Sequence, residues 1–276
     1  MGQLSAAGRA ALPGAGLARQ VSKFRFASLL LALAFALPAK ASDLVISLPG
    51  KLPILLTVPH GGIQPVPNVP PRTRGILSTD GYTIELAQAV ATRLEASLGA
   101  RPYLVAARFT RKHIDANRAP AQAYESPHAK AVYDAYHGAI RRFIAQIRAR
   151  HPQGALLLDI HGQSDDLAVL HRGTQNGATV AALLNKHGPD ALTGPQSIFG
   201  FLQEKGFKVF PPRAPIGYPP EDRRYSGGYT VQYYGSRSAQ GIDAIQLEPG
   251  RDLRKDPRFA AALGESVAAF HRAYLQ

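Results

Sequence analysis

Past residue 43 the apolar residues fall into two alternating rhythms. Short, mostly apolar runs stand at 44–48, 53–58, 103–107, 155–160, 207–210 and 244–247, with a further short run at 166–170. Runs of this length, bounded by Gly, Pro or Asp, read as strands buried on both faces. Between them, apolar residues recur every three to four positions. In 79–98 these are Ile84, Leu86, Ala87, Val90, Ala91 and Leu94, and the pattern stops at Gly99. In 127–150 they are Val132, Tyr136, Ile140, Phe143, Ile144 and Ile147, and Pro152 and Gly154 follow. That spacing puts the apolar residues on one stripe of a helix, with a helix stop behind it. Residues 178–186, 197–205 and 259–274 read the same way. Strands alternating with helices predict a single α/β domain around a largely parallel or mixed sheet. The exception is 211–241, which is rich in Gly, Pro, Tyr and Arg and has no period. Long irregular segments in compact domains are often functional loops.

Residues 1–41 stand apart. Lys23 and Arg25 precede an apolar run from Phe26 to Leu37, then Pro38 and the triplet Ala39-Lys40-Ala41. This order is that of a secretory signal cleaved after Ala41, so a secreted or periplasmic location is expected, with 42–276 as the catalytic domain. The run is too short to span a bilayer, so no stable membrane span is expected once the leader is removed. The twenty residues before Val21 make the leader long, and a natural start near Val21 is expected. The absence of cysteine removes disulfides and thiolate metal sites. Net charge is +13; the first 41 residues hold five bases and no acid, which leaves +8 for the remainder. A basic surface suits acidic small substrates. No Lys/Arg stripe interleaved with aromatics supports a nucleic-acid partner.

The reactive residues cluster where strands end. Asp159-Ile160-His161-Gly162 closes one apolar run, and residues two apart on a strand share a face. His161 is a candidate zinc ligand with a carboxylate to orient its ring; the alternative is a buried pair that satisfies itself. His60 follows another run in Pro59-His60-Gly61-Gly62, and by itself reads either as a ligand or as a structural histidine. Asp80 reads as a helix cap or as a third metal ligand, with Glu85 the competing carboxylate. In Arg111-Lys112-His113-Ile114-Asp115-Ala116-Asn117-Arg118, Arg118 with Asn117 is suited to grip a substrate carboxylate, Arg111 to polarise a carbonyl, and Asp115 to anchor Arg118. Glu248, at the end of the last strand, is a candidate general base, or else a salt-bridge partner of Arg251 or Arg254.

Taken in order, Pro59-His60-Gly61-Gly62, the Thr79–Leu86 segment, Arg111–Arg118, Asp159–His161, Gly227–Gly235 and Gln246-Leu247-Glu248 resemble one family across about residues 52–272. That family is the N-formylglutamate amidohydrolases, relatives of aspartoacylase and the zinc carboxypeptidases. The resemblance implies one mixed, twisted sheet flanked by helices and one Zn2+ held by His60, Asp80 and His161. It also implies a substrate clamp at Arg118 and Asn117, a carbonyl-polarising Arg111, a substrate-binding Tyr229 and a base at Glu248. The zinc carboxypeptidases and aspartoacylases carry the metal carboxylate three residues after the first histidine, where this chain has Ile63. Relatives acting on formylglutamate tend to carry a histidine where Tyr229 stands and an arginine near Gln232. The resemblance implies a zinc amidohydrolase for an N-acyl amino acid or small peptide with a free carboxylate. The alternatives are an exported binding protein without chemistry, and a cell-wall peptide amidase or carboxypeptidase.

Overall fold

The computed structural model describes residues 40–213 and 219–276, and Pro38–Gln276 form one compact unit. The expected leader 1–41 lies outside the described residues save for Lys40 and Ala41. Seven strands form one mixed sheet in the order β1-β3-β2-β4-β7-β5-β6. They are β1 Val45–Leu48, β2 Ile54–Val58, β3 Tyr103–Ala107, β4 Leu156–Ile160, β5 Val169–Gly173, β6 Lys208–Phe210 and β7 Asp243–Pro249. The neighbours β3, β2, β4 and β7 run parallel, β1 is antiparallel to β3, and β5 is antiparallel to β7. The α/β single-domain expectation therefore holds, and the sheet is of the mixed kind.

The apolar runs show no alternation because both faces are covered. Leu104 and Ala106 of β3 join one core, together with Leu56, Leu158 and the helices Thr83–Leu98 and Pro257–Tyr274. Tyr103, Val105 and Ala107 join the other, against the helix Lys130–Arg150. The polar residues at the carboxyl ends of the strands interrupt this pattern in register. Thr57 pairs with Asp159 across β2 and β4, and Asp159 pairs with Gln246 across β4 and β7. The three make one polar rung on the face of the Lys130–Arg150 helix. The register thus carries chemistry onto a face that is otherwise apolar.

Three expectations shift. The helix expected over 79–98 begins at Thr83, because Tyr82 adopts a left-handed φ of 68° ahead of it. Asp80 is therefore no helix cap. The strand expected at 166–170 is found at Val169–Gly173, because Gln163 and Asp166 first close a turn by two side-chain hydrogen bonds. Its buried Arg172 is balanced by Glu221 at 3.1 Å, which is why a strand so polar was not legible as one. The segment 211–241 contains the helix Tyr229–Tyr234. Among the described residues, no helix is long and apolar enough to cross a membrane.

Candidate active site

Three parallel neighbours, β2, β4 and β7, end on the same edge of the sheet, which is where open α/β sheets place their sites. His60 lies two residues past β2, His161 one past β4, and Glu248 is the penultimate residue of β7. The loop after β2 passes so close to β3 that a Cβ on Gly62 would stand 2.2 Å from the Arg108 backbone, so only glycine fits there. Asp80 is drawn to the two histidines by backbone ties: its amide donates to the His60 carbonyl, and its carboxylate accepts from the Gly162 amide.

Two imidazoles and one carboxylate converge. Asp80 Oδ2 is 3.3 Å from His60 Nδ1 and 3.5 Å from His161 Nδ1, and the histidine rings meet edge to face at 4.8 Å. Tetrahedral zinc with bonds near 2.0–2.1 Å sets its ligand atoms about 3.3 Å apart, which the two Asp80–histidine spacings match; all three donor atoms lie within 4.8 Å of one another. The far nitrogen of each ring is occupied. His60 Nε2 is 2.6 Å from Asp115, and His161 Nε2 is 2.7 Å from Asp159, which also accepts from Thr57. Each Nε2 therefore has a carboxylate to take its proton, which would leave Nδ1 free to ligate a cation that came between it and Asp80. Residue charge points the same way. Asp80, Asp115, Asp159 and Glu248 are buried here against the buried guanidiniums of Arg72, Arg111 and Arg254. With both histidines neutral and Glu248 ionised, the four carboxylates outnumber the three guanidiniums by one, and a divalent cation would offset that charge. The competing carboxylate, Glu85, is exposed on the helix and lies outside the cluster, and Ile63 is 79% exposed.

Burial would raise the Asp80 and Asp115 carboxyls, but the adjacent histidines, with Arg111 and Arg72 at Asp115, hold both below the ordinary range. Burial disfavours a charged His161, but Asp159, Asp80 and Glu248 reverse this and raise it. Glu248 behaves oppositely. Burial, helped by Asp80 and Asp159 against the histidines, pushes its carboxyl up to about 7, in the range of a working base near neutrality.

His60, Asp80, His161 and Glu248 line a cavity of about 510 Å³ together with Arg111, Asn117 and Arg118. Arg118 is exposed there. Arg111 reaches Asp80 at 3.5 Å and Asp115 at 3.2 Å, so it braces the metal-type carboxylate as well as facing the cavity. The Asp115 side chain serves His60, Arg111 and the Asn117 amide; Arg118 is tied to Asp115 only by its backbone amide, which donates to the Asp115 carbonyl. His113 accepts from the Val66 amide and is structural. Glu248 pairs with neither Arg251 nor Arg254. Arg254 instead donates to the carbonyls of Gly81, Gln163 and Pro249, stapling the three loops that carry Asp80, His161 and Glu248. Nothing in its sequence position signalled that. Tyr229 is not brought to the cavity: its ring packs on His137 and stacks on Tyr233, and Gly227 and Gly228 line the wall instead. The far wall is Arg223 to Gly228, part of the irregular 211–241 segment, held down by Glu221, which accepts from the Thr174 and Asn176 amides.

Residues 122–254 match the family model described as N-formylglutamate amidohydrolase. That stretch holds His161 and Glu248 and leaves out His60, Asp80 and Arg111. Two crystal structures share the fold. The N-formylglutamate amidohydrolase from Ralstonia eutropha JMP134 is 19% identical, with 81% of this chain and 93% of that one covered and a TM-score of 0.53. A gene product from Agrobacterium tumefaciens is 15% identical, with 86% and 96% covered and a TM-score of 0.56. No curated protein sequence matches the chain. Residues 122–254 thus match the model of the same family that the sequence motifs resemble, the N-formylglutamate amidohydrolases.

Proposed function

We propose that the chain is a zinc-dependent amidohydrolase that cleaves the amide bond of an N-acyl amino acid or short peptide with a free carboxylate. The observation that carries this reading is the convergence of His60, Asp80 and His161 beside a buried Glu248 whose Oε1 is 3.8 Å from His161 Nδ1. Two nitrogens and one carboxylate oxygen match the three-ligand pattern of catalytic zinc, which leaves a coordination position open. The ion, once bound there, would polarise an amide carbonyl and acidify a water molecule. Glu248 takes the proton of the attacking water and returns it to the leaving amine. Arg111 lines the same cavity and is suited to stabilise the oxyanion. A protein that only binds acidic ligands has no need of a buried base beside the donor set. Supporting the reaction class are the family match over residues 122–254 and the shared fold. Hydrolysis of a panel of N-formyl, N-acetyl and N-succinyl amino acids, with and without chelator, tests it; no chelator-sensitive turnover on any member would sink it.

The exposed guanidinium of Arg118, across the cavity, is the proposed clamp for the substrate carboxylate, through a two-pronged hydrogen bond. Arg118→Lys keeps the charge but loses the fork. The expected loss in kcat/KM is about thirtyfold, the worth of one charge-assisted hydrogen bond. A neutral amide of the substrate hydrolysed as fast as its carboxylate parent would refute the clamp.

Export is part of the proposal and rests on residues 1–41 alone. Amino-terminal sequencing of the protein from its native envelope fraction should begin at Ser42. An amino terminus upstream of residue 30 in that fraction would contradict it.

A further inference from the structure

We propose that Gln246 is a positioning residue that fixes the base, as the centre of an amide relay running from the Gly227–Thr230 loop to Glu248. This rests on the reading of Glu248 as base. Gln246 and Glu248 are two apart on β7 and so share a face, with Gln246 only 4% exposed. Gln246 Oε1 accepts from the Gly228 amide at 2.7 Å and from Asn117 Nδ2 at 3.3 Å. Asn117 Oδ1 in turn accepts from the Thr230 amide at 2.7 Å. Backbone N–H groups can only donate, so the two of them dictate which end of each side-chain amide is oxygen. That leaves Gln246 Nε2 aimed at Glu248 Oε1, 2.9 Å away. Among the described residues, it is the one hydrogen-bond donor to that carboxylate.

Three consequences follow from this chemistry. The direction of the relay is set by backbone, so it does not invert. Its far end is Asn117, the neighbour of Arg118, so the loop that presents the clamp and the residue that moves the proton are held by the same hydrogen bonds. And Asn117 is engaged at both ends, so it acts here as a strut and not as a free hand for the substrate. The relay also explains a glycine: a Cβ on Gly228 would stand 2.1 Å from Asn117 Nδ2.

The test is a double-mutant cycle on whichever N-acyl amino acid of the panel is turned over fastest. Gln246→Met keeps the shape of the side chain and removes every hydrogen bond. Gln246→Leu, close in volume, likewise removes the donor to Glu248 and introduces no group that could replace it. Both should lower kcat by about a hundredfold, the scale of a displaced catalytic group, with little change in KM and in zinc content. In the Glu248→Gln background the same substitutions should cost almost nothing more, because the residue they position is already disabled. Equal losses in both backgrounds would make Gln246 merely structural and overturn the inference. Full activity of Gln246→Leu would overturn it as well. A Glu248→Gln protein as active as wild type would sink the reading of the base instead, so the two failures are distinguishable. The crystal structure of Gln246→Met gives a readout without substrate: Glu248 should leave its position, and a carboxylate that stays put contradicts the relay.

Discussion

Substituting His161 by alanine is expected to leave the protein without stoichiometric metal. The site offers three protein donors, and a catalytic zinc site has none to spare. His161 is also held on both sides of its ring, with Nε2 against Asp159 and Nδ1 facing Asp80. Because His161 is buried, its loss also opens a void, and the fold has to be checked by circular dichroism. Asp80→Asn supplies a variant with almost the same shape: it removes the charge and should likewise lose the metal, as measured by elemental analysis after dialysis. Glu85→Ala should retain it, since Glu85 faces solvent outside the cluster. Retention of one zinc per chain by folded His161→Ala and Asp80→Asn proteins would remove both from the ligand set.

Replacing Glu248 by glutamine should lower kcat by about a hundred- to ten-thousandfold, the usual contribution of a general acid–base group. The substitution preserves size and burial and removes basicity. Burial raises the Glu248 carboxyl to about 7, so it can take up and return a proton near neutrality, whereas Asp80 in the same cavity is held below the ordinary range. Zinc content should not change, because Glu248 lies beside the three donors and is not one of them. KM should change little, since the proposed clamp is Arg118. A variant that lost its metal would make Glu248 a ligand and reopen the place of Asp80.

Much of the site was legible because its residues sit where apolar runs stop. His60, His161 and Glu248 each follow or end a strand of β-branched and leucine residues, and a reactive side chain there faces the crevice. Asp80 was legible only as an alternative, because the chain between β2 and the Thr83–Leu98 helix has no period to place it. Its position depends on the left-handed Tyr82 and on the Gly162 amide, both contacts of tertiary origin. Asp115 was noticed but given the wrong partner: spacing along the chain pointed to Arg118, and folding brought His60 and Arg111 instead. Arg254 was missed because its partners are carbonyls on three separate loops, which leave no trace in side-chain pattern. The Gln246–Glu248 pair did leave one, two polar residues at strand spacing in an otherwise apolar strand, but the relay through Asn117 spans residues far apart in the chain. Tyr229 was assigned from resemblance alone, and the structure turns its ring toward His137.

The central claim is that a metal held by His60, Asp80 and His161 is required for amide hydrolysis. The most direct measurement is turnover of the preferred N-acyl amino acid by chelated, metal-free protein as zinc is added back. The account predicts a rate that rises from background and reaches its plateau at one zinc per chain. Undiminished hydrolysis by the metal-free protein would contradict it.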